Sequence, residues 1–306
     1  MTNLRFVFFL VLVLTMTSVG QELEKVESRP ERGFFWPYLY YVPESAKRPF
    51  TFLVLPNNSR ELSDVLSVQE EAAVRRTKWM VKSFGDDLGL VLLRPIFPRT
   101  VKESYCYTHA LDRDTLLTRR KEVERLDLQL LSMVDDLERR LEGPCRDKFF
   151  IAGFSAPAMF ANRFTLLHPE KILGAAIGSP GGWPIAPVPT FAEEPLRYPI
   201  GVSDFRDVSG REFDRKAFSR VPLFMFLGDQ DTNDSVPFTD GYDPQDAELV
   251  NRLFGSTPVE RWGLSKKLYQ SVGSQAEFRL YPGVEHTISD EIEMDMKDFF
   301  SRLLGL

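Results

Sequence analysis

The sequence predicts an α/β protein built on a mostly parallel β-sheet that helices cover on both faces. Short apolar runs alternate along the chain with longer amphipathic segments, an alternation typical of parallel sheets with helical crossovers. The composition, with 43% hydrophobic and 27% charged residues, excludes low-complexity disorder and a coiled coil. The length of 306 residues, without an internal repeat, is enough to bury one core without disulfide staples.

The first element, at residues 1–20, is predicted to be removed rather than folded. A short basic start precedes the uninterrupted apolar run 6–14, and small residues stand at the −3 and −1 positions of a cut before Gln21. This layout is typical of a secretory signal peptide, and the apolar run is too short to span a membrane. We therefore expect a single mature domain at 21–306 that is secreted or periplasmic.

The strands are predicted from short, largely apolar runs. The first run, at 34–42, is aromatic and β-branched and is interpreted as one or two opening strands. Its successors are bounded by turn-forming residues. These later strands are predicted at residues 50–55, 88–93, 148–152, 172–177, 222–227 and 276–281.

Helices are predicted between these runs, and one long segment interrupts the alternation of strands and helices. The segment 180–220 is rich in proline and aromatic residues and is too long for a simple connection, so we expect a cap-like insertion beside the site. The longest predicted helix carries apolar residues every three or four positions on one face, which indicates core packing. The helices are predicted at residues 65–84, 114–141, 155–167 and 289–304.

The charge pattern limits the partners. The net charge is −6 and no Lys/Arg-rich run is present, whereas a nucleic-acid-binding protein normally carries a basic footprint. The mature chain has no second hydrophobic run of membrane length, so we expect no stable membrane anchor after signal cleavage. Neither nucleic acid nor a membrane is therefore a predicted partner.

The two cysteines leave a disulfide open. Export to an oxidising compartment favours pairing of Cys106 with Cys145. However, Cys145 precedes one predicted strand and Cys106 lies past the end of another, which places them near opposite ends of a parallel sheet. Pairing requires the stretch 100–106 to fold back along the sheet.

Three predicted strand ends carry side chains suited to nucleophilic catalysis. In an open parallel sheet, ligands bind outside the carboxyl ends of the strands. Ser155 stands at such an end, where the free N–H groups of the following helix favour a developing negative charge. The alternative is that Ser155 only caps this helix, which is a common use of serine.

Asp231 follows the predicted strand at 222–227, and His286 follows the predicted strand at 276–281. A serine hydroxyl is a poor nucleophile until an imidazole takes its proton, and the imidazole needs a carboxylate to fix its tautomer. The chain has only three histidines, so one at this position is informative. Ser155, Asp231 and His286 are the candidate catalytic residues, with Asp234 as the alternative acid.

Four segments around these residues carry a family resemblance: GFSAP at 153–157, LLHPEKILGAAIGSPGG at 166–182, FLGDQD at 226–231 and YPGVEH at 281–286. Through them the mature chain resembles the α/β-hydrolase superfamily of serine hydrolases over nearly its whole length. Within the superfamily it is similar to secreted esterases of the polyhydroxyalkanoate depolymerase and feruloyl esterase type. The resemblance implies a sheet of about eight strands, a Ser-His-Asp triad and an acyl-enzyme intermediate. The cap-like insertion expected at 180–220 then follows the sixth strand.

Two departures from the superfamily pattern concern the nucleophile turn and the oxyanion hole. Pro157 replaces the second glycine of G-x-S-x-G, and proline is tolerated in a first helical turn because its missing N–H has no helical partner there. The usual His-Gly after the third strand is replaced by Pro56-Asn57-Asn58. The oxyanion hole then takes the N–H of Ala156 and one from Asn57 or Asn58, because proline has none.

Three more residues are candidates to line the substrate pocket: Phe154, Trp183 and His109. For Trp183 simple burial is the alternative, as is usual for an aromatic side chain in a cap. Pocket shape is expected to depend chiefly on 180–220 and 100–113, so the sequence leaves the substrate's identity open.

A calcium loop is not predicted, although Asp229, Asp231, Asn233 and Asp240 fall at positions 1, 3, 5 and 12 of its template. Asp234 stands where that loop requires glycine, and position 12 is not glutamate. No metal or cofactor is required by the expected chemistry.

The sequence therefore predicts an exported serine hydrolase acting on a small-molecule or polymeric carboxylic ester. A serine peptidase of the prolyl-oligopeptidase type shares the fold and the chain order of the triad, but its propeller domain is not recognisable here. A non-catalytic binding protein on the same fold is the third reading, which the presence of all three catalytic residue types disfavours.

Overall fold

The strands of the computed structural model, which describes residues 22–239 and 241–306, are short and mostly buried. Most of them carry apolar side chains on both faces, as expected for parallel strands covered on both sides. In chain order they are β1 (Glu24–Val26), β2 (Tyr38–Tyr41), β3 (Phe52–Val54), β4 (Val91–Pro95), β5 (Phe149–Phe154), β6 (Ile172–Gly178), β7 (Thr190–Phe191), β8 (Glu194–Pro195), β9 (Leu223–Gly228) and β10 (Ala276–Tyr281).

Eight of the described strands form one sheet in the order β1-β2-β4-β3-β5-β6-β9-β10. β1 and β2 run antiparallel to their neighbours, and all pairs from β4 to β10 are parallel. β7 and β8 form a separate antiparallel pair. The predicted α/β class and mostly parallel sheet are confirmed. β1 is missed by the sequence analysis because it has three residues, two of them exposed, and no apolar run.

Helices cover both faces of the sheet. Within residues 22–239 and 241–306, none is long and apolar enough to cross a membrane. In chain order they are α1 (Leu66–Met80), α2 (Arg113–Leu117), α3 (Leu126–Arg140), α4 (Ala156–Leu167), α5 (Phe205–Ser209), α6 (Arg215–Phe218), α7 (Pro244–Phe254), α8 (Pro258–Ser271) and α9 (Asp290–Leu304).

The long helix predicted at 114–141 is wrong, because the chain breaks it into α2 and α3. Tertiary hydrogen bonds hold the intervening segment in turns. The Gln129 side chain donates to three main-chain carbonyls of residues 121–124, and the Trp36 indole donates to the carbonyl of Glu122. Arg125, at the start of α3, has a φ of 46°. Helical spacing in the sequence does not reveal these partners, which lie outside the segment.

The two faces of the sheet contribute to separate core layers. Because successive strand residues point to opposite faces, Phe52 and Val54 of β3 join one layer and Leu53 joins the other. The first layer includes the apolar faces of α3 and α4. The second includes α9 and the end of α1. This double burial keeps the central strands rigid and fixes the position of the loops at their carboxyl ends.

The segment between β6 and β9 contains β7, β8, α5 and α6 and packs against the body of the protein. Trp183 and Leu196 from this segment join a third core cluster with Val250 and Phe254 of α7. Tyr198 contributes to the first core layer instead. The segment is thus anchored by buried aromatic and aliphatic side chains.

Both cysteines are free. Cys106 is buried in the segment after β4, and Cys145 is partly exposed just before β5. The disulfide that the sequence leaves open is not formed.

Candidate active site

Ser155 occupies a strained turn between β5 and α4. Its φ of 64° and ψ of −130° are unusual for a residue with a side chain, a strain on the order of 1–3 kcal/mol that tertiary structure must hold. Its N–H donates to the carbonyl of Gly178 at the end of β6 (2.9 Å). Such a turn sets the serine hydroxyl at the carboxyl edge of the sheet.

Gly153 and Pro157 explain how this turn closes without the second glycine of G-x-S-x-G. A Cβ at Gly153 would lie 2.2 Å from the carbonyl oxygen of Pro157, so only glycine permits this approach of β5 to α4. Pro157 lies in the first turn of α4, where a missing N–H leaves no helical hydrogen bond unmade. The altered elbow therefore keeps the close strand-to-helix contact.

His286 and Asp231 meet beyond the ends of β10 and β9. The imidazole Nδ1 is 2.9 Å from Oδ2 and 3.1 Å from Oδ1 of Asp231. Because a carboxylate only accepts, Nδ1 carries the proton in this pair and Nε2 is left to take one. Gly228 allows the two loops to touch, since a Cβ there would lie 2.0 Å from the carbonyl oxygen of Val284.

Asp231 is buried and held as a carboxylate. Burial disfavours its charge, but hydrogen bonds from His286, from Ser179 and from the N–H of Asn233 outweigh burial and keep the pKa of the carboxyl below its usual value. An ionised acid behind the imidazole stabilises the imidazolium that forms when His286 accepts a proton.

Ser155 and His286 line the same cavity, of about 580 Å³. The Phe154 ring packs on the imidazole with centroids 4.7 Å apart and lines the cavity too. The described residues include no hydrogen bond between the Ser155 hydroxyl and the imidazole; catalytic contacts of this kind often tighten only when substrate binds. The other described lining residues are Asn58, Arg60, Arg76, Arg99, Tyr107, Asn233, Ser235 and Phe238.

The N–H groups expected for an oxyanion hole lie beside this cavity. Ala156 is the first residue of α4, so its N–H has no intrahelical acceptor. Among the described residues, the N–H groups of Asn57 and Asn58 also have no hydrogen-bond acceptor. Asn58 lines the cavity, and its side chain accepts from the N–H of Arg60. Asn57 is buried and donates from its side chain to the carbonyl of Gln69.

Asp234, the alternative acid, is placed away from the imidazole. Both of its carboxylate oxygens lie 2.9 Å from Nη1 of the buried Arg261. Its Oδ1 also accepts from the N–H of Val236. Asp234 therefore serves an ion pair, and Asp231 is the carboxylate beside His286.

His109 and Trp183 do not line the cavity. His109 is buried with Nε2 2.8 Å from the carbonyl oxygen of Phe97, and burial lowers the pKa of its imidazole to about 4, so the ring is neutral. The Trp183 indole donates to the carbonyl of Ile200 and stacks on Phe254 at 4.0 Å. Both side chains contribute to packing.

The residues of the calcium-loop pattern have other partners. Asp229 accepts from the N–H of Gly283 at 2.7 Å, and Asp231 is bound to His286. Asp240 lies outside the described residues, as do residues 1–21. Across residues 22–239 and 241–306, no group of three or more His, Cys, Asp or Glu side chains is placed to hold a metal ion.

Three arginines of the cavity wall were not predicted from the sequence: Arg60, Arg76 and Arg99. One signal was present, since Arg76 interrupts the otherwise uncharged inner face of α1. The segment 180–220 was also expected to shape the pocket, whereas the described lining includes Tyr107 from 100–113 and no residue of 180–220. Loops after β3, β4 and β9 supply most of the wall instead.

The fold and the strand-end residues together define a protein of the α/β-hydrolase fold with serine, histidine and aspartate at one sheet edge. Poly(aspartic acid) hydrolase-1 from Sphingomonas sp. KT-1 is similar, with a TM-score of 0.59 and 17% identity, covering 92% of this chain and 98% of that one. LpqC, a poly(3-hydroxybutyrate) depolymerase from Bordetella parapertussis, gives a TM-score of 0.57 at 18% identity, covering 91% and 89%.

An acylaminoacyl peptidase from Pyrococcus horikoshii is also similar, with a TM-score of 0.51 and 11% identity, over 94% of this chain and 42% of that one. No protein-family model and no curated protein matches the sequence. At these identities the similarity establishes the fold, and at that level the resemblance to depolymerase-type esterases is confirmed.

Proposed function

We propose that the protein is an exported serine hydrolase that cleaves carboxylic esters through Ser155, His286 and Asp231. One observation carries the proposal: the Asp231–His286 pair, at 2.9 Å, opens on the same cavity as a serine held in a strained strand-to-helix turn. Substrate is the only partner this chemistry needs, and no metal or cofactor takes part.

The reaction begins when the Ser155 hydroxyl attacks the ester carbonyl and its proton passes to Nε2 of His286. The negative charge on the carbonyl oxygen is stabilised by the N–H of Ala156 and by one N–H of the loop, from Asn57 or Asn58. Of these two, Asn58 is favoured because it lines the cavity.

The tetrahedral intermediate collapses when the bond between the acyl carbon and the alcohol oxygen breaks. The alcohol leaves with the proton that His286 gives back, and the acyl group stays on the Ser155 oxygen. Water then attacks the acyl carbon while His286 takes its proton and returns it to the serine. The products are one alcohol and one carboxylic acid, and Asp231 remains ionised throughout.

Export is proposed from residues 1–20, which have the layout of a signal peptide. Expression of the full chain with mass spectrometry of the extracellular or periplasmic product tests it. A mature N-terminus at Gln21 is expected, and an intact Met1 on a retained protein would contradict export.

The test of catalysis uses 4-nitrophenyl esters from acetate to octanoate with purified protein and its Ser155→Ala variant. The Ser155→Ala variant is expected to lose at least about 10⁴-fold in kcat/KM, since the nucleophile is gone. A fluorophosphonate probe should label the parent protein and not the variant. Ser67→Ala, which changes an exposed serine of α1, is the matched control and should retain full activity and labelling.

The alternatives give different results when N-acylated peptide substrates are added to this experiment. A serine peptidase would be labelled at Ser155 but would turn over N-acylated peptide substrates far faster than esters. A non-catalytic binding protein would show neither Ser155-dependent turnover nor labelling, and that outcome would overturn the proposal.

A further inference from the structure

The cavity that holds Ser155 is lined by positive charge. Arg60, Arg76 and Arg99 are in its wall, and its described lining residues include no aspartate or glutamate. Arg99 also lies against the Tyr107 ring, 4.3 Å from its centroid. A wall of this kind differs from the apolar lining typical of sites for neutral ligands.

Arg76 contributes a cation to this wall from helix α1. It lies on the inner face of α1, where its neighbours one helical turn away, Ala72, Ala73 and Met80, are buried. Among the described residues its guanidinium has neither a hydrogen-bond acceptor nor a carboxylate partner. Burial, together with the charges of Arg60 and Arg75, lowers the pKa of Arg76. Arg76 therefore places a half-buried cation, unneutralised within the described part of the chain, at the cavity wall.

Arg94 adds a second cation behind Arg76. It is buried in β4, and its partners among the described residues are neutral: the Thr77 hydroxyl at 2.7 Å and the Pro56 carbonyl at 3.1 Å. Burial, followed by the charge of Arg76, lowers the pKa of Arg94 to about 9. Arg76 and Arg94 both line a smaller cavity of about 90 Å³, which shares Arg76 and Phe154 with the cavity of Ser155.

Three other arginines that are withdrawn from solvent are each neutralised by a carboxylate, whereas the buried Arg163 donates to the carbonyl of Ala110 and has no ion pair among the described residues. Arg261 is paired with Asp234, Arg125 with Asp127 and Arg197 with Asp246. A buried charge without a counter-charge is strongly unfavourable, so side chains of this kind are usually paired. Among the arginines that lack a carboxylate partner, Arg76 lies in the wall of the cavity that holds Ser155.

We infer that Arg76, assisted by Arg60 at the cavity rim, binds a carboxylate of the substrate, so that the protein prefers esters carrying a negative charge near the scissile bond. This inference rests on the proposed serine hydrolase function and specifies its substrate class. The planar guanidinium of arginine suits a carboxylate because it donates two parallel hydrogen bonds. Binding of the anion offsets one of the two positive charges of Arg76 and Arg94, which a neutral ester does not.

The test compares charged and neutral forms of the same ester. On the acyl side the pair is 4-nitrophenyl hydrogen adipate and its methyl ester; on the alcohol side it is 4-carboxyphenyl butyrate and its methyl ester. The ratio of kcat/KM, charged over neutral, is measured in both pairs for the parent protein and for Arg76→Gln. Arg75→Gln, an exposed neighbour on α1 that does not line the cavity, is the matched control.

In at least one pair, the ratio is expected to fall about tenfold or more in Arg76→Gln, which is the size of one charge-assisted contact, and to stay unchanged in Arg75→Gln. In that pair the ratio should also fall with added salt, because salt screens the attraction. The pair that responds identifies the side of the scissile bond that carries the carboxylate. Equal ratios in both variants for both pairs would overturn the inference and leave the hydrolase function intact.

A binding measurement keeps the inference testable if neither ester is turned over. Adipate is titrated by calorimetry into Ser155→Ala, and into the same protein with Arg76→Gln or Arg75→Gln added. Adipate should bind to Ser155→Ala and to its Arg75→Gln form, and about tenfold more weakly to its Arg76→Gln form. An affinity for adipate that is unchanged by Arg76→Gln, or no adipate binding at all, would contradict the inference. Missing fluorophosphonate labelling of Ser155 would instead count against the hydrolase function.

Discussion

The described part of the chain contains two histidine–aspartate pairs with nearly the same contact distance and different surroundings. His286 Nδ1 lies 2.9 Å from Asp231, and His168 Nε2 lies 2.8 Å from Asp127. The first pair opens on the cavity of Ser155. The second is enclosed, with side chains at most 3% exposed, and Asp127 also accepts two hydrogen bonds from Arg125.

The difference shows that a histidine–aspartate contact does not by itself indicate catalysis. Nδ1 of His168 is buried, and within the described part of the chain it has no hydrogen-bond partner, so no reacting group can reach it. His286, in contrast, is partly exposed on the cavity side. A hydrogen bond of the same kind therefore stabilises the fold at the C-terminal end of α4, beside His168. At the N-terminal end, beside Ser155, it can serve chemistry.

The largest expected effect separates the two histidines. His286→Ala should lower kcat/KM for a 4-nitrophenyl ester by at least about 10⁴-fold, because the serine loses its base. Its free energy of unfolding should change by less than about 1 kcal/mol, as is usual for a partly exposed side chain. His168→Ala is the matched variant. It should lose about 2–4 kcal/mol of stability in urea unfolding, because a buried ring and its hydrogen bond are removed, while activity per folded molecule is kept.

Activity that survives in His286→Ala, or a loss of activity without a loss of stability in His168→Ala, would reverse the assignment of the two pairs. Activity and unfolding should be measured on the same preparations, so that an unfolded fraction is not read as a catalytic defect.

The second prediction distinguishes the two carboxylates after β9. Asp231→Asn should lower kcat/KM by about 10²–10⁴-fold, leaving more activity than His286→Ala because nucleophile and imidazole remain. Asp234→Asn should keep activity within about threefold but lose about 3 kcal/mol of stability, since Arg261 is left buried without its counter-charge. Steady-state kinetics and urea unfolding measure both effects. A neutral Asp231→Asn with an inactive Asp234→Asn would show that the acid is misassigned.

Much of the fold was predictable because buried parallel strands appear in the sequence as continuous apolar runs. Six of the later strands fall within a few residues of their predicted positions, and the turn residues after β5, β9 and β10 place Ser155, Asp231 and His286 at one edge. The exposed strand β1 and the break between α2 and α3 were not predictable from local pattern. They depend on partners distant in sequence, such as Gln129 and Trp36, whose contacts only the folded chain creates.

The cavity wall was harder to predict than the nucleophile, for a related reason. Ser155 is marked by its own turn, whereas Arg60 and Arg76 are ordinary surface residue types in sequence. They reach the cavity of Ser155 only because the loop after β3 and helix α1 pack beside it. The enclosed His168–Asp127 pair was missed in the same way. His168 follows α4 in the sequence, and only the folded chain brings it to Asp127 on α3. Residue type at a strand end is thus more informative than residue type on a helix face.

The smallest expected effect concerns the pH dependence of stability that the enclosed pair contributes. Burial opposes the charge of Asp127, but hydrogen bonds from His168 and Arg125 outweigh it and lower the pKa of Asp127 to about 2. An unfolded aspartate has a pKa of about 3.9, so between these values the unfolded state binds more protons. The stabilisation is therefore complete above about pH 4 and is lost as the pH falls through about 2.

Removing the carboxylate should flatten this part of the pH profile. In urea unfolding between pH 5 and pH 2, Asp127→Asn is expected to lose about 2–3 kcal/mol less than the parent protein, while starting from a lower stability at pH 5. Asp135→Asn, an exposed position on α3, is the control and should follow the parent profile within about 0.5 kcal/mol. The Asp127→Asn variant should leave kcat/KM per folded molecule unchanged, because Asp127 and His168 lie outside the cavity of Ser155. A profile that is unchanged in Asp127→Asn, or a loss of activity there, would mean that the enclosed pair is not a purely structural counterpart of Asp231–His286.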